Sequence, residues 1–213
     1  FCEIYSDIRK PFWMQTRSNT LSDYSIKRLA ELGLNRISFD IEHGNEDFRA
    51  KYLKRTLKNA DMIEQLKIPG RYGVSFSINN ITGFPHETRE LAMDTVELNR
   101  YIKADNHNIF SFTPFHGIPL RKVCEDLGLI HPDTIAKCPT AGALLNMPQY
   151  PNEEIEGLKK CFVLYVKFPK DRWPDIRKAE QLLNWRPEVS LEQGIKGAVE
   201  WYQENRKLAR DIR

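Results

Sequence analysis

The sequence predicts an α/β fold built on parallel strands joined by crossover helices. Three observations predict it. Runs with apolar residues at every second position alternate with runs at helical spacing, and the order strand, helix repeats four times. Regular alternation of this kind favours parallel strands over hairpins. The chain has 213 residues, enough for one domain of ordinary size or a domain with an appendage.

Each element has its own local signal. "PFWMQTR", residues 11–17, is short and aromatic, so a strand. "SDYSIKRLAELGL" places Ile26, Leu29, Ala30 and Leu32 near helical spacing, with Gly33 suited to the position after a helix end. In "NRISFDIEHG", Ile37, Phe39 and Ile41 alternate with Arg36, Ser38 and Asp40, a second strand. "NEDFRAKYLKR" and "NADMIEQLKIPG" read as helices, the latter stopped by Pro69-Gly70. "GVSFSINNITG" is a third strand and "HETRELAMDTVELNRYIKA" a long amphipathic helix. "HNIFSFTPF" is a fourth strand, followed by the short helix "PLRKVCEDLGL" ending at Gly128. Residues 130–154 carry several Pro and Asn and read as an irregular loop, then "EEIEGLKKCFVLYVKF" and "DRWPDIRKAEQLLNW" read as helices. The last stretch has Ser190 and Gln193 at capping-box spacing and a stripe of Ile195, Val199 and Tyr202. The expected organisation is three segments, 1–130, 131–173 and 174–213.

Composition excludes some function classes. Hydrophobic residues make up 41% and charged residues 29%, which suits a globular, soluble chain. The net charge is +3 with both signs interspersed, which gives no footprint for nucleic acid. No apolar run reaches the roughly 18 to 20 residues needed to span a bilayer, and the charged start does not suit a signal peptide. The expected location is the cytoplasm. Cys2, Cys124, Cys138 and Cys161 are too far apart in sequence to form a C-x-x-C or C-x-x-x-C clip, so no zinc or iron–sulfur spacing is present.

In a parallel sheet the strand ends facing the following helices carry function. Thr16-Arg17, Glu42-His43-Gly44, Asn80 to Glu87, and Thr113 to Gly117 fall on that rim. "SINNITGFPHET" has one glycine and no lysine, so it is neither a P-loop nor a dinucleotide fingerprint. By spacing it is a capped strand-to-helix loop, with Glu87 placed to face the helix's positive end. Glu42 is placed to hold ribose hydroxyls, since a carboxylate accepts two hydrogen bonds in a fork, or else to sit in a charge-rich helix start. Phe112 to Phe115 offer an apolar wall for a flat ligand, or core packing. His43, His86 and His116 carry no pattern of their own. No G-x-S-x-G is present for serine hydrolysis.

Taken in order, "PFWMQTRSNTL", "RISFDIEHGNEDFRAKYLKR", "SINNITGFPHETRELAMDTVELN" and "NIFSFTPFHGIPL" resemble the later strands of radical S-adenosylmethionine (SAM) enzymes. The likeness is to the cobalamin-associated branch and covers residues 1–180 or so. "GFPHET" is similar to that family's Gly-Phe-Pro-Gly-Glu-Thr, with His86 in place of a glycine, and "PFHGIPL" to its Pro-Phe-Pro-Gly-Thr-Pro-Leu. The resemblance implies a partial (β/α) barrel of about four parallel strands, the third to sixth of six, with a helical C-terminal extension. It implies S-adenosylmethionine, a 4Fe-4S cluster and a radical methylation, cyclisation or rearrangement of a small-molecule substrate. It also implies a link to cobalamin through a further N-terminal domain.

By motif position the resemblance implies that Glu42 holds the SAM ribose or amino group. Asn80, Thr82 and Gly83 would lie along adenine or the methionine part, with Gly44 beside Glu42. Arg17 would face the substrate or the SAM carboxylate. The family's C-x-x-x-C-x-x-C is not in this sequence, so the chain is expected to lack the cluster and to be inactive by itself. With Phe1 as its first residue, it is expected to be a fragment needing the missing N-terminal half of the barrel as partner. The tail, residues 174–206, resembles the C-terminus of extended short-chain dehydrogenases such as nucleotide-sugar epimerases and UDP-glucuronate decarboxylases. That likeness leaves an NAD-dependent epimerase, or a non-catalytic remnant, as alternatives. The catalytic Tyr-x-x-x-Lys and glycine fingerprint of that family are absent.

Overall fold

The computed structural model describes residues 1–136, 138, 140–168 and 189–204. The chain divides into two compact units, residues 1–170 and 171–213. The first unit opens with a single helical turn, α1 (Cys2–Tyr5), then alternates strands and helices. Strands β1 (Phe12–Thr16), β2 (Leu34–Glu42), β3 (Ser75–Thr82) and β4 (Asn106–Ser111) form one parallel sheet in chain order. This is the expected α/β fold with four parallel strands.

The alternation in the strands sorts their side chains onto two faces. Ile37, Phe39 and Ile41 of β2 and Phe76 and Ile78 of β3 turn to the helix side and are buried. There they meet Ile26 of α2 (Asp23–Glu31), Met62 of α4 (Asn59–Gln65), and Leu98 of α6 (Arg89–Arg100). The opposite face carries Gln15, Ser38, Asp40, Asn79 and Asn108, none of them core residues in the apolar sense.

Helix ends follow the sequence signals. Ser22 caps α2 in a reciprocal pair with Ser25, and Gly33 follows the helix at φ +107°. A side chain at Gly33 would put its Cβ 2.9 Å from the Lys10 carbonyl oxygen. The Thr88 hydroxyl caps α6 by accepting from the Leu91 amide.

Two expected helices differ from the structure. Residues 45–55 form a short α3 (Glu46–Phe48) that widens into a π turn over Arg49–Leu53, closed by Lys54 at φ +55°. The cause is Arg49, whose buried guanidinium donates to the carbonyls of His43 and Gly44 before the turn and of Leu57 after it. Pro69-Gly70 does not stop α4, which ends earlier at Gln65; both residues lie inside a short α5 (Ile68–Arg71). Proline is tolerated there because a first-turn N–H has no intrahelical partner to lose.

After α7 (Pro119–Asp126) and the expected irregular stretch, α8 (Asn152–Lys167) returns to the sheet. It buries Ile155, Leu158, Phe162 and Val166 and packs on β4 and α6. In the second unit the described residues form α9 (Leu191–Glu204), capped by Ser190 and Gln193 as the spacing predicts. Its Ile195 and Val199 are exposed. The helix expected over "DRWPDIRKAEQLLNW" lies outside the described residues. Among the described residues no helix is long and apolar enough to cross a membrane.

Candidate functional site

A cleft of about 740 Å³ lies over the C-terminal ends of β2, β3 and β4. Its volume is in the range of pockets that hold whole small ligands. One wall is polar, formed by Gln15, Asp40, Glu42, Lys54, Arg55 and Asn79. The other is apolar, formed by Ile81, Phe84, Phe110, Phe112, Phe115 and Ile118. Phe112, Thr113 and Phe115 of the expected apolar wall do face this cleft.

The polar wall is a ladder that crosses all four strands. The Gln15 side-chain amide donates to Asp40 Oδ2 at 2.6 Å. The Asn79 amide donates to Asp40 Oδ1 and to Ser38 Oγ, each at 2.9 Å. Asn108 Nδ2 in turn donates to Asn79 Oδ1 at 3.0 Å. Parallel sheets are ordinarily apolar on both faces. A polar ladder on one face marks that face as the wall of a ligand or solvent space.

Glu42 stands at the break in the ladder. The β2–β3 register shifts between Asp40 and Glu42, and Glu42 adopts φ +68°, a left-handed backbone that L-residues rarely take. Such strain persists where the surroundings over-determine it, and it concentrates at binding sites. Arg55 is the determinant here. Its Nη1 donates to the Asp40 carbonyl at 2.8 Å and its Nη2 to Glu42 Oε1 at 2.6 Å. Burial pushes the Glu42 carboxyl above the usual range; Arg55 opposes that shift and Asp40 adds to it.

Behind the cleft lies a second polar cluster, and it is closed. The carboxylate of Glu87 is fully buried and accepts from the amides of Gly83 and Phe84 and from the Thr82 hydroxyl. His43 Nδ1 accepts from the Asn45 amide at 3.0 Å. The His43 proton is therefore on Nε2, which donates to Glu87 Oε1 at 3.1 Å. Thr82 Oγ1 also meets the Tyr150 hydroxyl at 3.1 Å. Glu87 thus does not face the positive end of α6 but folds back to close the "GFPHE" turn. The two amides of the turn both donate to Glu87 Oε2, so one carboxylate oxygen satisfies two buried donors that would otherwise be unpaired. His86 sits at φ +67°, a conformation glycine adopts freely, and stacks on Tyr52.

The expected site residues divide between these places. Glu42 lines the cleft. Arg17 lines a smaller adjoining pocket that shares Asp40, Lys54 and Arg55 with it. Asn80 and Thr82 lie on the helix-packed face: Asn80 exchanges hydrogen bonds with Asn99 of α6, and Thr82 joins the Glu87 cluster. Gly44 packs against α6 so closely that a Cβ would sit 2.1 Å from the Asp94 carbonyl oxygen. Gly83, at φ +84°, has Ile155 of α8 where a Cβ would point. Motif position alone does not single out Asp40, Arg55 or Asn79. The sequence does hold a signal for Asn79: Phe76 and Ile78 fix the buried face, so period two puts Asn80 with them and Asn79 opposite.

The described residues do not fit a 4Fe-4S cluster. Among them no three His, Cys, Asp or Glu side chains form a metal-binding group. The four thiols are all free cysteines, and burial pushes Cys124 up to about 11, away from the thiolate a cluster needs.

Comparison with known proteins places the barrel. Residues 2–98 match the Radical SAM superfamily. Over 162 residues, 76% of this chain, the sequence is 23% identical to an uncharacterised methyltransferase of Pyrococcus horikoshii and spans 35% of it. The tail is matched in part, at 50% identity over 59 residues, by a UDP-glucuronate 4-epimerase of Thermodesulfobacterium geofontis; the match spans 26% of this chain and 18% of that enzyme. Among solved structures, coproporphyrinogen III oxidase (HemN) from Escherichia coli, a radical SAM enzyme, superposes with a TM-score of 0.52 at 15% identity. That match covers 73% of this chain and 32% of HemN. The radical SAM methyltransferase TsrM from Kitasatospora setae, with cobalamin and a 4Fe-4S cluster bound, superposes with a TM-score of 0.51 at 13% identity, covering 61% of this chain and 28% of TsrM. The first unit has the fold of part of these radical SAM barrels.

Proposed function

We propose that the first unit supplies one side of a radical SAM active site, with the cleft holding S-adenosylmethionine against a small-molecule substrate. The observation that carries this reading is Glu42. It is a strained, half-buried carboxylate on the C-terminal rim of a radical SAM barrel, with one oxygen held by Arg55 and an aromatic wall opposite. The cleft residues fit this cofactor. The second Glu42 oxygen is free to accept from ribose hydroxyls or an ammonium, and Phe84, Phe110 and Phe112 offer apolar cover to a purine. Gly44, Asn80, Thr82 and Gly83 act on the site by fixing the rim behind it.

The intact family cleaves the cofactor to a 5′-deoxyadenosyl radical, which needs a cluster. The described residues do not fit one, so no step of that cleavage is assigned to them. On this reading the three cluster thiolates, and any cobalamin, come from polypeptide outside these 213 residues. The chain spans about a third of the methyltransferase it matches. The same relative favours methyl transfer among the possible reactions.

Calorimetry of the full chain with S-adenosylhomocysteine tests the reading. Saturable binding is expected, weakened about tenfold in Glu42→Gln, as for loss of one charge-assisted hydrogen bond. No saturable binding would overturn it. The 50% identity of the tail match favours a second reading, an NAD-dependent nucleotide-sugar epimerase or decarboxylase. Saturable NAD binding in the same instrument would rank that reading first.

A further inference from the structure

We infer that the small basic pocket beside the cleft binds a doubly charged oxyanion of the phosphate class, carried by the substrate. The pocket, of about 220 Å³, is lined by Arg17, Arg49, Lys54 and Arg55, with Asp40 as the one carboxylate among the lining residues. Asp40 is already engaged: its two oxygens accept from Gln15 and Asn79 on the cleft side. The four cations are therefore opposed by little negative charge inside the pocket.

The donors of this pocket are also underused. The Arg17 guanidinium has no hydrogen-bond or ion-pair partner among the described residues, and neither do the side chains of Ser18, Asn19 and Thr56, which line the same space. Ser18 is buried nonetheless. Arg49 is fully buried; its terminal nitrogens are held by carbonyls and by Asn59, while its Nε has no partner. Lys54 gives one of its three donors to the Lys51 carbonyl, and Arg55 gives its outer nitrogens to Asp40 and Glu42. A buried donor without a partner, as Arg49 Nε is, costs free energy, and four like charges side by side repel one another. A compact oxyanion relieves both, because it accepts several hydrogen bonds from arginine and hydroxyl groups at once.

Size decides what the anion belongs to. The volume lies below the roughly 300 Å³ at which pockets take a whole ligand, so this one suits a single group of a larger molecule. Asp40, Lys54 and Arg55 line both spaces, so the rest of that molecule reaches the cleft. The pocket stands on its own residues; its assignment to the substrate rests on the function proposed above.

Calorimetry of the full chain with inorganic phosphate, and separately with S-adenosylhomocysteine, tests this in the wild type and in Arg17→Gln. Arg17 is exposed, so the substitution leaves the core intact, which a thermal melt verifies. Saturable phosphate binding is expected, weakened about tenfold by R17Q, with S-adenosylhomocysteine affinity unchanged. Absence of saturable phosphate binding, or binding indifferent to R17Q, overturns the inference. Equal weakening of both ligands also overturns it, because the pocket then serves the cofactor's carboxylate. R17Q-sensitive phosphate binding with no S-adenosylhomocysteine binding supports the pocket and removes only the proposed function.

Discussion

The two faces of the one sheet solve opposite problems with neighbouring residues. On the helix side, Ile37, Phe39, Ile41, Phe76 and Ile78 are buried against helices, and the polar groups there are locked into closed clusters. On the cleft side, Gln15, Asp40, Asn79 and Asn108 are joined in a chain that borders open space. Asn79 and Asn80 differ only in which face they occupy. Asn80 holds up the fold and Asn79 lines a cleft, which teaches that residue type alone does not mark a site. The face does.

Breaking the helix side should cost most. Gly44→Ala forces a Cβ into the α6 backbone, which has no rotamer to yield, and is expected to destabilise by about 3 kcal/mol or more, read from the urea midpoint. His107 comes next. It is buried, donates from Nδ1 to Asn99 Oδ1, and is held near pKa 4 by burial, with Lys167 adding to the effect. Its folded pKa lies below its unfolded value of 6.5, so the unfolded chain binds more protons between them. The stability that neutral His107 contributes is full above pH 6.5 and falls as pH drops toward about 4. His107→Gln should flatten that slope in denaturation curves taken across the window. The smallest effect belongs to the cleft side. Asn79→Ala removes three hydrogen bonds, yet water can replace them, so a loss of about 1 kcal/mol or less is expected. A loss as large as that of Gly44→Ala would erase the distinction between the faces.

Most of the fold is legible in the sequence because strand alternation and helix caps are local signals. Gly33 and Ser190 sit where the spacing puts them. The stretch over 45–55 departs from a regular helix because its π turn depends on Arg49 reaching carbonyls up to eight residues away. The site is half legible. Glu42 and the aromatic wall follow from position on the rim, whereas the Arg55–Glu42 pair and the Glu87–His43 clamp need loops that meet only in three dimensions. Glu87 is the sharpest case. Its place before α6 suggests a helix-dipole partner, but the buried amides of Gly83 and Phe84 bind it more strongly than a solvent-exposed helix end can.

Helix α8 bears on how such a gene can change. Its Ile155 fills the space beside Gly83, and its apolar face covers β4 and α6, so the hydrophobic interior of the first unit runs on to Val166. The second unit starts only at Asp171. The stretch where the two sequence likenesses overlap, "RWPDIRKAE", begins just past that limit. A recombination joint in that stretch would leave every described core residue of the first unit, as far as Val166, on one side of it.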